Sequence, residues 1–201
     1  DSCRFLTQKN REYLLNSDIE NNNLSGNCII INAENITLNC EGHSIISDDS
    51  YSGIYSNSVK TIIKNCNVSM GEGGNGNGIK FSHADDSGVE NTTSNNNFYG
   101  IYIEESDNVS ILNFEASFNY GGIHLTDGKN NNFNNITLDS NTNAILLYYS
   151  SNNNLSNLNI DSNEDALWFF ESSNNTVINT QISNSSSNDI RFSPWSVNNL
   201  L

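Results

Sequence analysis

Basic side chains are scarce in this sequence. Eight Lys and Arg face 23 Asp and Glu in a chain of 201 residues, which leaves a net charge of −15. Clustered cations are what hold a phosphate backbone or an anionic lipid surface, so the composition argues against both as partners. No run of 18 apolar residues occurs, and no membrane insertion is expected. The sequence opens at Asp1 without a charged-then-apolar leader, as a processed or a trimmed chain would. Charged residues are only 15% and hydrophobic residues 35% of the chain, so most of its polarity is uncharged. Asparagine supplies 41 positions. Its side chain competes with the helix backbone for hydrogen bonds, which makes ordinary helices improbable. Abundant Ile, Phe and Tyr at low charge argue equally against plain disorder.

What the sequence does contain is a repeat. Gly78-Ile79-Lys80-Phe81 recurs as Gly100-Ile101-Tyr102-Ile103, Gly122-Ile123-His124-Leu125, Ala144-Ile145-Leu146-Leu147 and Ala166-Leu167-Trp168-Phe169, always 22 residues on. Gly53-Ile54-Tyr55 fits 25 residues before the first, with the extra residues in the glycine-rich loop Gly71–Asn77. Asp189-Ile190-Arg191-Phe192 fits one step after the last with a slip of one. Columns read at this period sort by chemistry. Ile79/Ile101/Ile123/Ile145/Leu167, Phe81/Ile103/Leu125/Leu147/Phe169, Val89/Ile111/Phe133/Leu155/Val177 and Ser94/Ala116/Leu138/Ile160/Ile182 are apolar or small. Within each repeat they alternate with polar residues, which is the period of a strand.

Three further columns are asparagine: Asn91/113/135/157/179, Asn108/130/152/174 and Asn97/119/141/163. Asn tolerates the left-handed backbone of a sharp corner, and its amide can both donate and accept in a stacked ladder. Three Asn corners per repeat describe a flattened triangular coil. Successive coils then stack as parallel strands about 4.8 Å apart.

These columns, together with Asn35-Ile36-Thr37-Leu38-Asn39-Cys40-Glu41-Gly42-His43-Ser44-Ile45, resemble the right-handed parallel β-helix repeat proteins over roughly residues 28–193. That superfamily includes pectate-lyase-like enzymes, polysaccharide epimerases, periplasmic copper-delivery proteins and bacterial and archaeal surface proteins. The resemblance implies an all-β solenoid and leaves the activity open. The expectation is a single domain of about seven coils, with residues 1–27 as an N-terminal cap and 194–201 as a C-terminal tail. Trp195 could cover the last coil, and the tail could fold over the outward aromatic face.

All four cysteines lie in the first third, without zinc-site spacing. They suggest disulfides and an oxidising, extracellular or cell-surface setting. Cys3–Cys28 is the favoured bridge, tying the cap to the first coil. Cys40 and Cys66 occupy equivalent positions in adjacent coils and are expected as near neighbours, bridged or as stacked thiols. Nine Asn-x-Ser/Thr triplets occur, and Asn23, Asn67, Asn154 and Asn184 are the sites singled out for possible glycosylation.

Function is expected on outward side chains of the Gly-Ile-x-Ile strand. Leu146, Tyr148, Trp168 and Phe170 form an aromatic block that could stack on sugar rings or meet a protein partner. Tyr102, Glu104 and His124 extend it. Lys80, Tyr102 and His124 are candidate general acids or bases for uronic-acid chemistry. No arginine aligns with a carboxylate cluster in the manner of the lyases. Glu104, Glu105, Asp107 and Asp127 offer oxygen ligands for calcium. Copper delivery calls for Met and His clusters, and only Met70 and the scattered His43, His83 and His124 are present. The leading reading is a non-catalytic surface protein, with no obligatory cofactor, that binds carbohydrate or a protein through the Tyr102–Phe170 stripe. The alternatives are a polysaccharide lyase or epimerase and, through self-association, a structural subunit of a surface layer or filament.

Overall fold

A computed structural model describes residues 1–71 and 75–201. Part of the loop Gly71–Asn77 therefore lies outside the described residues. Every regular element among them is a strand. Among the described residues no helix is long and apolar enough to cross a membrane.

The first winding holds β1 (Arg4–Leu6), β2 (Arg11–Leu14) and β3 (Ile19–Glu20). The second holds β4 (Ile29–Ile31), β5 (Ile36–Asn39) and β6 (Ser44–Ile46), and the third β7 (Ile54–Ser56), β8 (Ile62–Lys64) and β9 (Asn67–Ser69). From the fourth winding each coil carries two longer strands: β10 (Asn77–Ser82) and β11 (Gly88–Ser94), β12 (Tyr99–Glu104) and β13 (Ser110–Ser117), β14 (Gly121–Thr126) and β15 (Asn132–Asp139). β16 (Asn143–Tyr148), β17 (Asn154–Asp161), β18 (Asp165–Phe170) and β19 (Thr176–Ser183) follow, and β20 (Asn188–Phe192) opens a ninth, partial winding.

All pairing is parallel and each coil lies on the one before. One sheet runs β1-β4-β7-β10-β12-β14-β16-β18-β20, and the other carries the remaining two faces. The register repeats the sequence columns: Ile79 pairs with Ile101, Ile101 with Ile123, Ile123 with Ile145 and Ile145 with Leu167. The fold is thus the expected parallel β-helix, with eight full turns where about seven were expected. Residues 1–27, expected as a cap, are themselves a winding, since β1, β2 and β3 each pair with the second coil.

The interior is a column of side chains. Ile79, Phe81, Val89, Ile101, Phe114, Phe133 and their repeats up to Phe169 are buried, whereas Phe192 of the last, partial winding is 42% exposed. Phe114, Ile136 and Leu158 add an inward column that the repeat phrase did not bring out. The interior narrows beside the repeat glycine: a Cβ at Gly78 would collide with Ser94 Oγ. From the third to the eighth coil that column holds only Gly or Ala.

The corners depart from the triangular expectation. Each coil from the fourth to the eighth has four left-handed positions, exemplified by Glu105, Asn108, Asn113 and Phe118 with φ of 45°, 57°, 52° and 58°. The expected Asn91 and Asn108 columns are left-handed, but at the third corner the strained position falls one residue earlier, on Asn96, Phe118, Ser140 and Ser162. Asn97, Asn119, Asn141 and Asn163 turn inward instead and form a buried ladder. Asn141 Nδ2 donates to Asn163 Oδ1 at 3.0 Å and Asn119 Nδ2 to Asn141 Oδ1 at 3.0 Å. A second buried ladder runs through Asn131, Asn153, Asn175 and Asn199, one residue after the expected Asn108 column. Corner and ladder are adjacent residues because a left-handed residue swings the next side chain into the core.

Both disulfides join neighbouring coils, Cys3–Cys28 and Cys40–Cys66. The tail does not fold over the aromatic face. Ser196 Oγ accepts from the Ser172 N–H and Asn199 Oδ1 from the Asn175 N–H, so residues 193–201 extend the Ser and Asn columns beneath the last coil. Trp195 remains 63% exposed rather than covering that coil.

Candidate functional site

The outward stripe of the first sheet divides into a polar and an apolar half. In the polar half, alternation turns Lys80, Tyr102 and His124 outward on β10, β12 and β14, in direct register. Lys80 Nζ lies 3.1 Å from Glu104 Oε2 and 4.8 Å from the centre of the Tyr102 ring. Glu104 also accepts from Tyr102 Oη at 3.1 Å and from Ser82 Oγ at 3.2 Å. Burial works against its charge, but the Lys80 contact and the two hydroxyls outweigh this and hold the carboxyl below its ordinary value. Burial and the neighbouring Glu104 charge push the Tyr102 phenol up, so it stays protonated at neutral pH.

His124 is covered by two tyrosines. Its ring is 5.1 Å from Tyr102 and meets Tyr99 edge-on at 4.6 Å. Tyr99 reaches across because Gly121 leaves room: a Cβ there would stand 2.7 Å from the Tyr99 ring. Burial drives the His124 pKa down to about 4 despite Glu104 nearby, and drives the Tyr99 phenol up to about 12. The imidazole is therefore neutral at physiological pH. Nε2 contacts Thr126 Oγ1 at 3.1 Å, and Nδ1 is buried with no partner.

In the apolar half, Tyr148 and Phe170 stack on each other at 4.7 Å, and Tyr149 stands edge-on to both. Trp168 packs against Phe170, and the Arg191 guanidinium lies over its indole at 4.2 Å. Leu146, Tyr148, Trp168 and Phe170 are half-buried rather than bare, because each shields the next. Tyr99 and Tyr149 complete the band. Columns beginning one residue before the Gly-Ile phrase would have found Tyr99.

The four acidic residues proposed for calcium do not gather. Glu104 faces Lys80 on the sheet, whereas Glu105, Asp107 and Asp127 line a shallow corner groove with Asp85 and Lys129. There Asp107 Oδ1 accepts the Lys129 N–H at 2.7 Å and Asp85 Oδ1 the Asp107 N–H at 2.8 Å. Among the described residues no three His, Cys, Asp or Glu are placed to hold an ion. Of the four singled-out sequons, Asn23 is exposed in the turn after β3. The Asn67, Asn154 and Asn184 amides donate to Gly42 O, Asn132 Oδ1 and Asp161 Oδ1.

Comparison with known proteins places this geometry in context. The family model described as "Periplasmic copper-binding protein (NosD)" matches residues 42–201. No curated protein sequence matches the chain. Among solved structures, the A-module of the Azotobacter vinelandii mannuronan C-5 epimerase AlgE4 superposes with a TM-score of 0.65 at 12% identity, over 93% of this chain and 65% of that one. The enzymatically active domain of bacteriophage CBA120 tailspike protein 2 gives 0.66 at 13%, over 97% and 42%. Endopolygalacturonase I from Stereum purpureum gives 0.56 at 11%, over 97% and 89%. The chain thus spans less than two thirds of the epimerase module and of the tailspike domain. At these identities the likeness is one of fold.

Proposed function

The chain belongs to the NosD family, and from that premise we propose that it is a non-catalytic β-helix of the periplasm or cell surface that binds polysaccharide through its first sheet. The observation that carries this reading is the outward stripe of ring side chains in two clusters along the coils, Tyr99–Tyr102–His124 and Tyr148–Tyr149–Trp168–Phe170, joined through Leu146. Aromatic rings at coil spacing suit the apolar faces of successive sugar rings. The groups that could do acid–base chemistry are held by each other: Lys80 by Glu104, Glu104 by three donors, His124 by Thr126 and two tyrosines. Among the structural neighbours, the mannuronan and alginate epimerases and the endopolygalacturonase carry names of polysaccharide-acting enzymes, which agrees with this ligand class.

The donors present do not fit the copper of the family description. Met70 is fully buried and all four cysteines are in disulfides. His43 faces Asp18, His83 faces Glu105 and His124 faces Thr126, each on a different part of the surface.

The test is binding of an oligosaccharide panel by calorimetry. Trp168→Ala and Tyr148→Ala each weaken binding, and unchanged affinity in both removes the stripe from the account. An epimerase or lyase reading draws on one observation, the contact of Lys80 and His124 with the same Tyr102 ring. It predicts unsaturated or epimerised products from an acidic polysaccharide, lost in Lys80→Ala. Inactivity across uronate polymers disposes of it.

A further inference from the structure

At the third corner, which leads into the first sheet, the side chains change size abruptly along the stack. Phe98 and Tyr120 occupy successive coils and stack almost parallel, 4.8 Å and 5° apart. The next positions in that column are Thr142 and Glu164. The aromatic pile therefore stops at Tyr120, whose second face looks along the axis onto a short side chain. Tyr120 is 48% exposed. Beside it, in the left-handed corner column, Phe118 is 57% exposed, and the following positions are Ser140 and Ser162.

Two exposed rings thus form a wall, and small hydroxyl side chains over the buried Asn119–Asn141 ladder form a floor. Between them is a groove of about 550 Å³, rimmed on its far side by Glu164. That volume falls in the range of ligand sites, roughly 300–1,000 Å³. Phe118 strengthens the case. Its φ of 58° is one that a bulky side chain adopts at a cost, and Asn or Ser fills the same position in the neighbouring coils.

We propose that this corner groove binds a neutral oligosaccharide, one pyranose ring stacking on the free face of Tyr120 and continuing the Phe98–Tyr120 pile. A pyranose ring has an apolar face for the aromatic wall and hydroxyls for the floor. It is also comparable in length to one coil step, so the next sugar lies over Ser162 and Glu164. Hydroxyls donate to the Glu164 carboxylate, whereas an acidic sugar meets Glu164 and the protein's net charge of −15 with no cation in the groove lining to offset them. The site adjoins the Tyr99 end of the aromatic stripe, where Tyr99 lies 4.6 Å from Phe98 and 6.2 Å from Tyr120, but it needs none of Tyr148, Trp168 or Phe170.

The experiment titrates cellohexaose, chitohexaose and maltohexaose, with hexamannuronate as the charged comparator, into the full chain and four variants. Tyr120→Ala removes the platform, and Thr142→Tyr extends the pile into the groove and fills it. Glu164→Gln tests the rim, and Trp168→Ala tests the stripe. The expected result is that at least one neutral hexasaccharide binds more tightly than hexamannuronate. Its affinity drops roughly tenfold or more in Tyr120→Ala and Thr142→Tyr and is unchanged in Trp168→Ala. A folded Thr142→Tyr, shown by an undiminished thermal midpoint, separates blocked binding from misfolding. If no neutral hexasaccharide binds at millimolar concentration, the proposal is overturned. It is also overturned if binding is lost in Trp168→Ala and kept in Tyr120→Ala, an outcome that leaves the stripe reading standing.

Discussion

Replacing Asn141 by Ala removes one rung of the buried ladder, and the consequence can be worked from its contacts. Asn141 Oδ1 accepts the Asn119 N–H and one Asn119 Nδ2 hydrogen, both at 3.0 Å. Its own Nδ2 donates to Asn163 Oδ1 and to Ala116 O, both at 3.0 Å. The variant strands two donors of Asn119, itself 4% exposed, and deletes two donations. Buried donors without partners cost about 1–3 kcal/mol each, and the lost donations about 1 kcal/mol each. The sum is roughly 4 kcal/mol or more, a large share of the roughly 5–15 kcal/mol that stabilises a domain. Asn113→Gly is the matched control. Asn113 bonds Asn91 and Asn135 in the outer ladder at 2.8 and 2.7 Å, but water can replace those bonds and Gly accepts its φ of 52°. Its expected effect is within about 0.5 kcal/mol. Urea unfolding followed by circular dichroism measures both. If Asn141→Ala falls within 1 kcal/mol, roughly, of Asn113→Gly, buried amide pairing is not what holds the third corner.

Stability should fall as the solution is acidified from pH 6.5 towards pH 4, because the unfolded His124 takes up a proton that the buried imidazole, with its pKa near 4, refuses. The loss reaches up to about 3 kcal/mol, and His124→Phe should flatten that part of the profile; an unchanged slope would show that the histidine is not the source. Phe118→Asn should raise the thermal midpoint, by roughly 1 kcal/mol of stability, since Asn accepts a left-handed backbone more readily. A lowered midpoint would mean that the ring packs more than it strains. Reduction, or paired Cys→Ser replacement at either bridge, should cost about 3.5 kcal/mol each for loops of 25 and 26 residues. Equal stability in the reduced and oxidised proteins would refute that figure.

The period, four of the inward columns and the neighbouring placement of the cysteines were legible because each is a chemical likeness repeated at a fixed spacing, whereas spacing alone left Cys40 and Cys66 open between a bridge and stacked thiols. The ladders were half legible. Asn130 and Asn131, or Asn152 and Asn153, are consecutive asparagines, and composition does not say which takes the corner and which the core. At the third corner the inward Asn97 column was visible, but the left-handed residue before it changes identity from Asn96 to Phe118 to Ser140. The polar half of the stripe came together as its columns required. The burial of His124 was not foreseeable from its own column, because it comes from Tyr99 leaning over Gly121. The corner groove left the weakest trace, since it arises where large side chains give way to small ones.

The two disulfides tie the first, second and third windings, whereas the aromatic band and the corner groove lie on the fourth to ninth. A stack of this kind behaves as a one-dimensional zip, in which each layer is secured only by its neighbours. Fraying should therefore start on the unstapled side and run towards the cystines, so the proposed recognition surfaces sit on the part of the rod that opens first. A polymer laid along several layers would act there as a splint, and occupancy would be reported as slowed amide exchange in layers it never touches.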